Sequence, residues 1–101
     1  MGQRPSLQNL LVSLLGSPNV YFQPPPTIQM EYPCIVYKRD FIQIEYADDN
    51  PYMSKKRYLV TVIDRNPDSE IPDKIASLQY AVYDRFYTAE GLNHDVFKLF
   101  F

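Results

Sequence analysis

His94 is the only histidine in the chain, and it stands in Asn93-His94-Asp95 with Glu90 one helical turn upstream. That grouping has the residue types of an acid/base pair or half a metal site. A single imidazole in a Gly-containing connection, however, is satisfied by ordinary hydrogen bonds of a turn, and it is read that way here. Carboxylates recur as Asp48 beside Asp49, and as Asp64 and Asp84. Either pair becomes a general acid only inside a closed pocket that raises one of the two pKa values, and nothing in the spacing builds one. Cys34 is a lone thiol beside Ile35 and Val36, the setting of an inert core residue, and it has no partner in the chain for a disulfide or a paired-Cys metal site. With three glycines, Gly2, Gly16 and Gly91, there is no phosphate-cradling loop or dinucleotide fingerprint, and neither an HExxH nor a nucleophile elbow occurs. The expectation is a non-enzyme with no cofactor and no metal.

Charge narrows the binding classes. Ten basic residues against twelve acidic ones leave a net charge of −2. General nucleic-acid affinity needs a concentrated basic face to release counterions, and the Lys55-Lys56-Arg57 triplet is too small for that. The apolar runs are too short to span a bilayer, and the N-terminus lacks a basic leader with a long apolar core, so a soluble protein used without secretion is expected, in a reducing compartment. Nine Tyr and six Phe with no Trp are many for 101 residues. Tyr tolerates a half-wet contact, which suits a two-faced sheet in a small domain and also subunit interfaces.

The elements that must position these residues read as one α+β domain over 1–101. Tyr58 to Asp64 is its axis: Tyr58, Val60 and Val62 alternate with Leu59, Thr61 and Ile63, so both faces are mostly apolar and the strand is expected to be central and covered on both sides. Upstream, Leu7, Leu10, Leu11 and Leu14 fall at i, i+3, i+4 and i+7. With Ser6 as N-cap and Gly16 as stop they predict a helix over 6–15. Val20 to Gln23 is a short strand, Pro24 to Pro26 an extended connector, and Cys34 to Lys38 and Phe41 to Tyr46 are one strand with a bulge near Lys38 to Asp40, or two short strands. The turn formers Asp48, Asp49, Asn50 and Pro51 and the basic exit predict a polar loop over 47–57. A second helix is predicted over 69–78, capped by Asp68 or Ser69, with Pro72 in its first turn and Ile71, Ile75 and Leu78 on one stripe. The chain closes on a hairpin over 80–101, with strands Tyr80 to Thr88 and Val96 to Phe101 joined through Gly91 and Asn93. The expected whole is an N-terminal helix, an antiparallel sheet of about four to five strands, one further short helix and a terminal β-hairpin. Its FKLFF end must be buried in the sheet or in an assembly, because an exposed apolar edge aggregates.

The strings EYPCIVYKRD, YADDNPY, KKRYLVTVIDRNPDSEIPDKIASL and YDRFYTAEGLNHDVFKLFF, in this order and spacing over residues 31 to 101, resemble a family of small morphogenesis proteins of long-tailed bacteriophages and prophages. The order helix, strands, helix, terminal strands is similar to the tail terminator, or tail completion, fold. That resemblance implies a structural virion protein of the tail or neck, assembled in the bacterial cytoplasm as a hexameric ring. The ring would cap the tail tube protein and receive the head-tail connector or stopper. DNA would pass its lumen without specific binding, and no membrane is involved. Another neck, head-closure or minor capsid protein is the alternative, with a small enzyme or nucleic-acid accessory protein behind it. A closed ring repeats one pair of lateral patches, and stacking adds two axial ones. Exposure and side-chain type nominate Asp48, Asp49, Asn50, Tyr52, Lys55, Lys56 and Arg57 for an axial contact. They nominate Tyr83, Arg85, Tyr87, Asn93 and His94 for the lateral one.

Overall fold

The computed structural model describes the backbone of residues 4–47 and 50–101, and the side chains of these residues outside 43–55. The order is α1 (Arg4–Leu15), β1 (Val20–Phe22), β2 (Cys34–Ala47), β3 (Asn50–Asp64), α2 (Ile71–Ala76), β4 (Ala81–Ala89) and β5 (Leu92–Phe100). The fold is α+β: two helices and one five-stranded sheet ordered β1-β2-β3-β5-β4. The sheet is mixed, because β1 runs parallel to β2 while every other pair is antiparallel. A parallel neighbour needs a crossover, and residues 23–33, with their three prolines, supply an extended one.

Both helices lie on one face. Leu7 and Leu11 of α1 and Ile75 of α2 are fully buried with Ile35, Tyr37, Tyr58, Val60, Val62, Phe97 and Leu99 in one core. Ile71 and Leu78 pack against its margin, so the predicted stripe does face the sheet, although α2 itself ends at Ala76. The N-cap of α2 is Glu70, which makes no side-chain capping bond, so neither Asp68 nor Ser69 caps the helix as expected; Ser69, one position earlier, accepts the Ile71 amide on its Oγ at 3.3 Å. Helix α1 begins two residues before Ser6 because Pro5 is compatible with a first turn. It ends as expected at Gly16, whose φ of +78° suits glycine and whose amide donates to the Val12 carbonyl.

A polar chain ties α1 to the sheet. The Tyr37 hydroxyl donates to Gln8 Oε1 at 2.6 Å, Gln8 Nε2 donates to the Val20 carbonyl at 3.1 Å, and the Arg4 guanidinium lies 4.8 Å from the centre of the Phe22 ring. Burial pushes the Tyr37 hydroxyl above its ordinary pKa, against the opposing pull of Arg4.

β3 is central, as its pattern requires, but its two faces are not equally covered. Tyr58, Val60 and Val62 are sealed under the helices. On the other face Ile63 is buried with its neighbours Cys34 and Val96, while Leu59 and Thr61 stay half-buried. The two short helices seal the middle of one face and leave the other face only partly covered.

Residues 47–57 differ most from expectation. Among the described residues, Ala47 and Asn50 to Arg57 are strand and not loop: β2 continues to Ala47 and β3 begins at Asn50, so that Ala47 pairs with Asn50, Tyr46 with Pro51 and Ile42 with Lys56. The two strands form a ribbon, and the turn formers Asp48 and Asp49 lie outside the described residues. Strand preference follows from neighbours more than from composition. Pro51 fits because a ribbon strand has one side without ladder bonds. Register shifts fall between Arg39 and Phe41, the bulge anticipated there, and between Glu45 and Tyr46.

Candidate interaction surface

Two features stand out from the compact part of the domain. The first is the arm formed by the distal halves of β2 and β3. β1 pairs only with Ile35, Val36 and Tyr37 of β2, and β5 pairs with β3 only from Arg57 onward. Beyond those points the two strands have only each other as strand partners among the described residues. At ~3.3 Å per residue the stretch from Asp40 to Ala47 adds about 25 Å. That accounts for a molecule measuring 51 × 27 × 23 Å.

The root of the arm is pinned by Arg57. Its guanidinium meets Asp40 Oδ2 at 2.8 Å, lies 4.9 Å from the centre of the Phe41 ring and 6.0 Å from that of Phe100. Asp40 is the extra residue of the bulge, which turns its carboxylate toward Arg57. Of the predicted axial residues, then, Arg57 is engaged inside the subunit. Lys56 is half-buried, and its carbonyl accepts the amide of Phe101 at 3.0 Å. Asn50, Tyr52 and Lys55 are strand residues of β3, and Asp48 and Asp49 lie outside the described residues.

The second feature is β4. The FKLFF segment is not an edge: β5 sits between β3 and β4, with Phe97 and Leu99 each 1% exposed. The outer strand is β4, and its side chains are open on both faces: Val82 61%, Tyr83 50%, Phe86 52% and Tyr87 41% exposed. Register puts Tyr83 and Phe86 opposite Phe97 and Asp95 on the helix-bearing face, and Val82 and Tyr87 opposite Lys98 and His94 on the other. A bulge at Asp84 keeps that alternation from being regular.

The residues nominated as lateral do gather at this end of the sheet, on different faces and with internal partners. Tyr87 and His94 stack, ring centres 4.5 Å apart and planes within 13°, with the Arg85 guanidinium 5.9 Å from the centre of the Tyr87 ring. Arg85 also pairs with Asp84 at 2.9 Å. On the opposite face Tyr83 donates its hydroxyl to Asp95 Oδ1 at 2.9 Å and meets Phe97 edge-on. Desolvation, followed by that carboxylate, raises the Tyr83 pKa. Asn93 turns inward, donating to the carbonyls of Asp64 and Arg65.

The residues with the types for catalysis are separated. His94 is a strand residue, not a turn residue, and strand alternation sends it and Asp95 to opposite faces. The turn itself is Glu90-Gly91, so Asn93 is also part of β5. Asp64 accepts the amide of Asn66, while Asp84 takes Arg85. Burial, with the Asp64 carboxylate behind it, pushes the Cys34 thiol up to about 11, the setting of an unreactive core sulfur. Among the described residues no three His, Cys, Asp or Glu side chains are placed to hold a metal ion. No described helix is long and apolar enough to cross a membrane.

Sequence reasoning missed Val82 and Phe86 as exposed positions. Their alternation was visible, but an apolar strand residue reads as core until the strand order is known. The chain matches no model of a known protein family and no curated protein.

Proposed function

We propose that this protein is a structural subunit of a long-tailed phage virion that assembles into a ring at the end of the tail tube, as a tail terminator. The observation that carries the reading is a small domain whose surface is dominated by assembly features: a bare apolar outer strand at one end of the sheet and a projecting two-stranded arm at the other. Monomers rarely expose contiguous apolar patches above a few hundred Å², and patches of that size mark interaction sites. A cyclic ring needs two different lateral surfaces per subunit, because its contacts are heterologous. The resemblance of residues 31 to 101 to phage morphogenesis proteins supplies the biological setting. The arm and the β4 end take the lateral roles, and the far end of the arm, where Ala47 pairs with Asn50, is left for an axial contact with the tail tube protein or the connector.

The test is mass in solution across a concentration series, followed by negative-stain imaging with isolated tails. Rings of about six copies at one tail end are expected. Rings bound only to DNA-filled heads would move the protein to the head side of the joint as a head-closure component. A particle that binds neither would overturn the reading.

A further inference from the structure

With the order β1-β2-β3-β5-β4, one long unpaired edge is that of β4, and another, toward the opposite end of the sheet, is that of β2 beyond the three residues paired with β1. We infer that these edges are partners: the arm edge of one copy, from Asp40 to Ala47, adds to the β4 edge of the next and continues one sheet through the assembly. The inference rests on the ring reading above and names the contact that would close it.

Two observations support this pairing. The edges match in length, with about eight residues of β2 against the nine of β4. They match in character: strand alternation sends Phe41 and Ile42, 48% and 40% exposed, to opposite faces of β2, just as β4 shows Val82 and Tyr87 on one face and Tyr83 and Phe86 on the other. Half-exposed aromatic residues of about 200 Å² each, with Val82 and Ile42, place on the order of 500 Å² of exposed apolar side chain along the two edges. That is a large share of the apolar area of a standard interface.

Each edge also lacks what the other provides. A two-stranded ribbon is marginally stable on its own in water, and a third strand beside it removes that weakness. An apolar edge strand is an aggregation hazard unless it is paired, and pairing with the arm of a neighbouring copy covers the β4 edge. Because donor and acceptor edges lie on opposite sides of one subunit, each copy uses each edge once. The contact is head-to-tail, the type that makes rings.

The test uses two full-length variants with exposed changes: Val82→Lys with Phe86→Lys on β4, and Ile42→Lys on the arm. Thermal melts establish that each remains folded, and Phe86→Lys alone serves if the double variant does not. Wild type is expected to assemble, and each variant alone to sediment as a monomer of 11.9 kDa. An equimolar mixture should give a species of twice that mass and nothing larger, since an intact arm then meets an intact edge only once. If the arm variant still assembles alone, the contact is β4 to β4. If the β4 variant does so, it is arm to arm. Either result overturns the pairing while leaving a ring possible. If both variants cap tails as rings like wild type, the pairing falls and the terminator reading stands. If wild type neither assembles nor caps tails, both fall.

Discussion

Glu90 and Gly91 join β4 to β5 with φ values of +54° and +75°, the two positive values that a two-residue turn of matching twist needs. A Cβ added at Gly91 would meet nothing within 4 Å, so its glycine is required by backbone conformation alone. Gly91→Ala is therefore expected to lower stability by about 1 to 2 kcal/mol in urea unfolding, the cost of a left-handed conformation for an ordinary residue. Glu90→Asn is expected to raise it by roughly 0.5 kcal/mol, because Asn enters that region more easily. Unchanged stability in both variants would mean the turn relaxes freely. The glycine was legible in the sequence, whereas its partner Glu90 was not, since no propensity singles out glutamate for positive φ.

At the scale of elements, the arm depends on its root. Arg57 holds the bulged Asp40 and stacks on Phe41, linking β2 and β3 just where β5 stops supporting them. Arg57→Ala is expected to cost about 1 kcal/mol, the usual sum of one partly exposed ion pair and one cation–π contact. The acceleration of amide exchange should be largest in the arm. Arg57→Lys should recover less than half, because an ammonium cannot lie flat on a ring while holding a carboxylate. If Arg57→Ala left stability and exchange unchanged, Arg57 would be available for the axial role its sequence position suggested. The basic triplet looked like a solvent-facing loop because its charges were visible, while the bulge that recruits Arg57 depends on register across the hairpin.

For the whole molecule, sheet order decides behaviour. The order leaves β4 outside and sets β5, with Phe97 and Leu99 buried, between β3 and β4, so the hazard that the sequence located at the C-terminus belongs to the neighbouring strand. If assembly through these edges stabilises the native state, the melting temperature should rise with protein concentration by linkage, by several degrees over a hundredfold range for a domain of this size. The Val82→Lys, Phe86→Lys variant should melt at a concentration-independent temperature. A wild-type temperature that is also flat would show that the folded subunit draws no stability from its neighbours.

The sequence by itself determined the class of fold, the helix from the leucine spacing, the central strand from its two apolar faces, a bulge or break beside Lys38 to Asp40 and the covered stripe of the second helix. These are local patterns, set by periodicities of 3.6 and 2 and by residues that stop them. Only the tertiary structure decided that β1 runs parallel, that the polar stretch from Asn50 is strand and not loop, that His94 and Asp95 part to opposite faces, and that β4 is the bare edge. Each of those depends on which strand lies beside which. Pairing is a long-range choice, and strands of similar composition leave it open until the helices have covered one face and the remaining edges have been assigned.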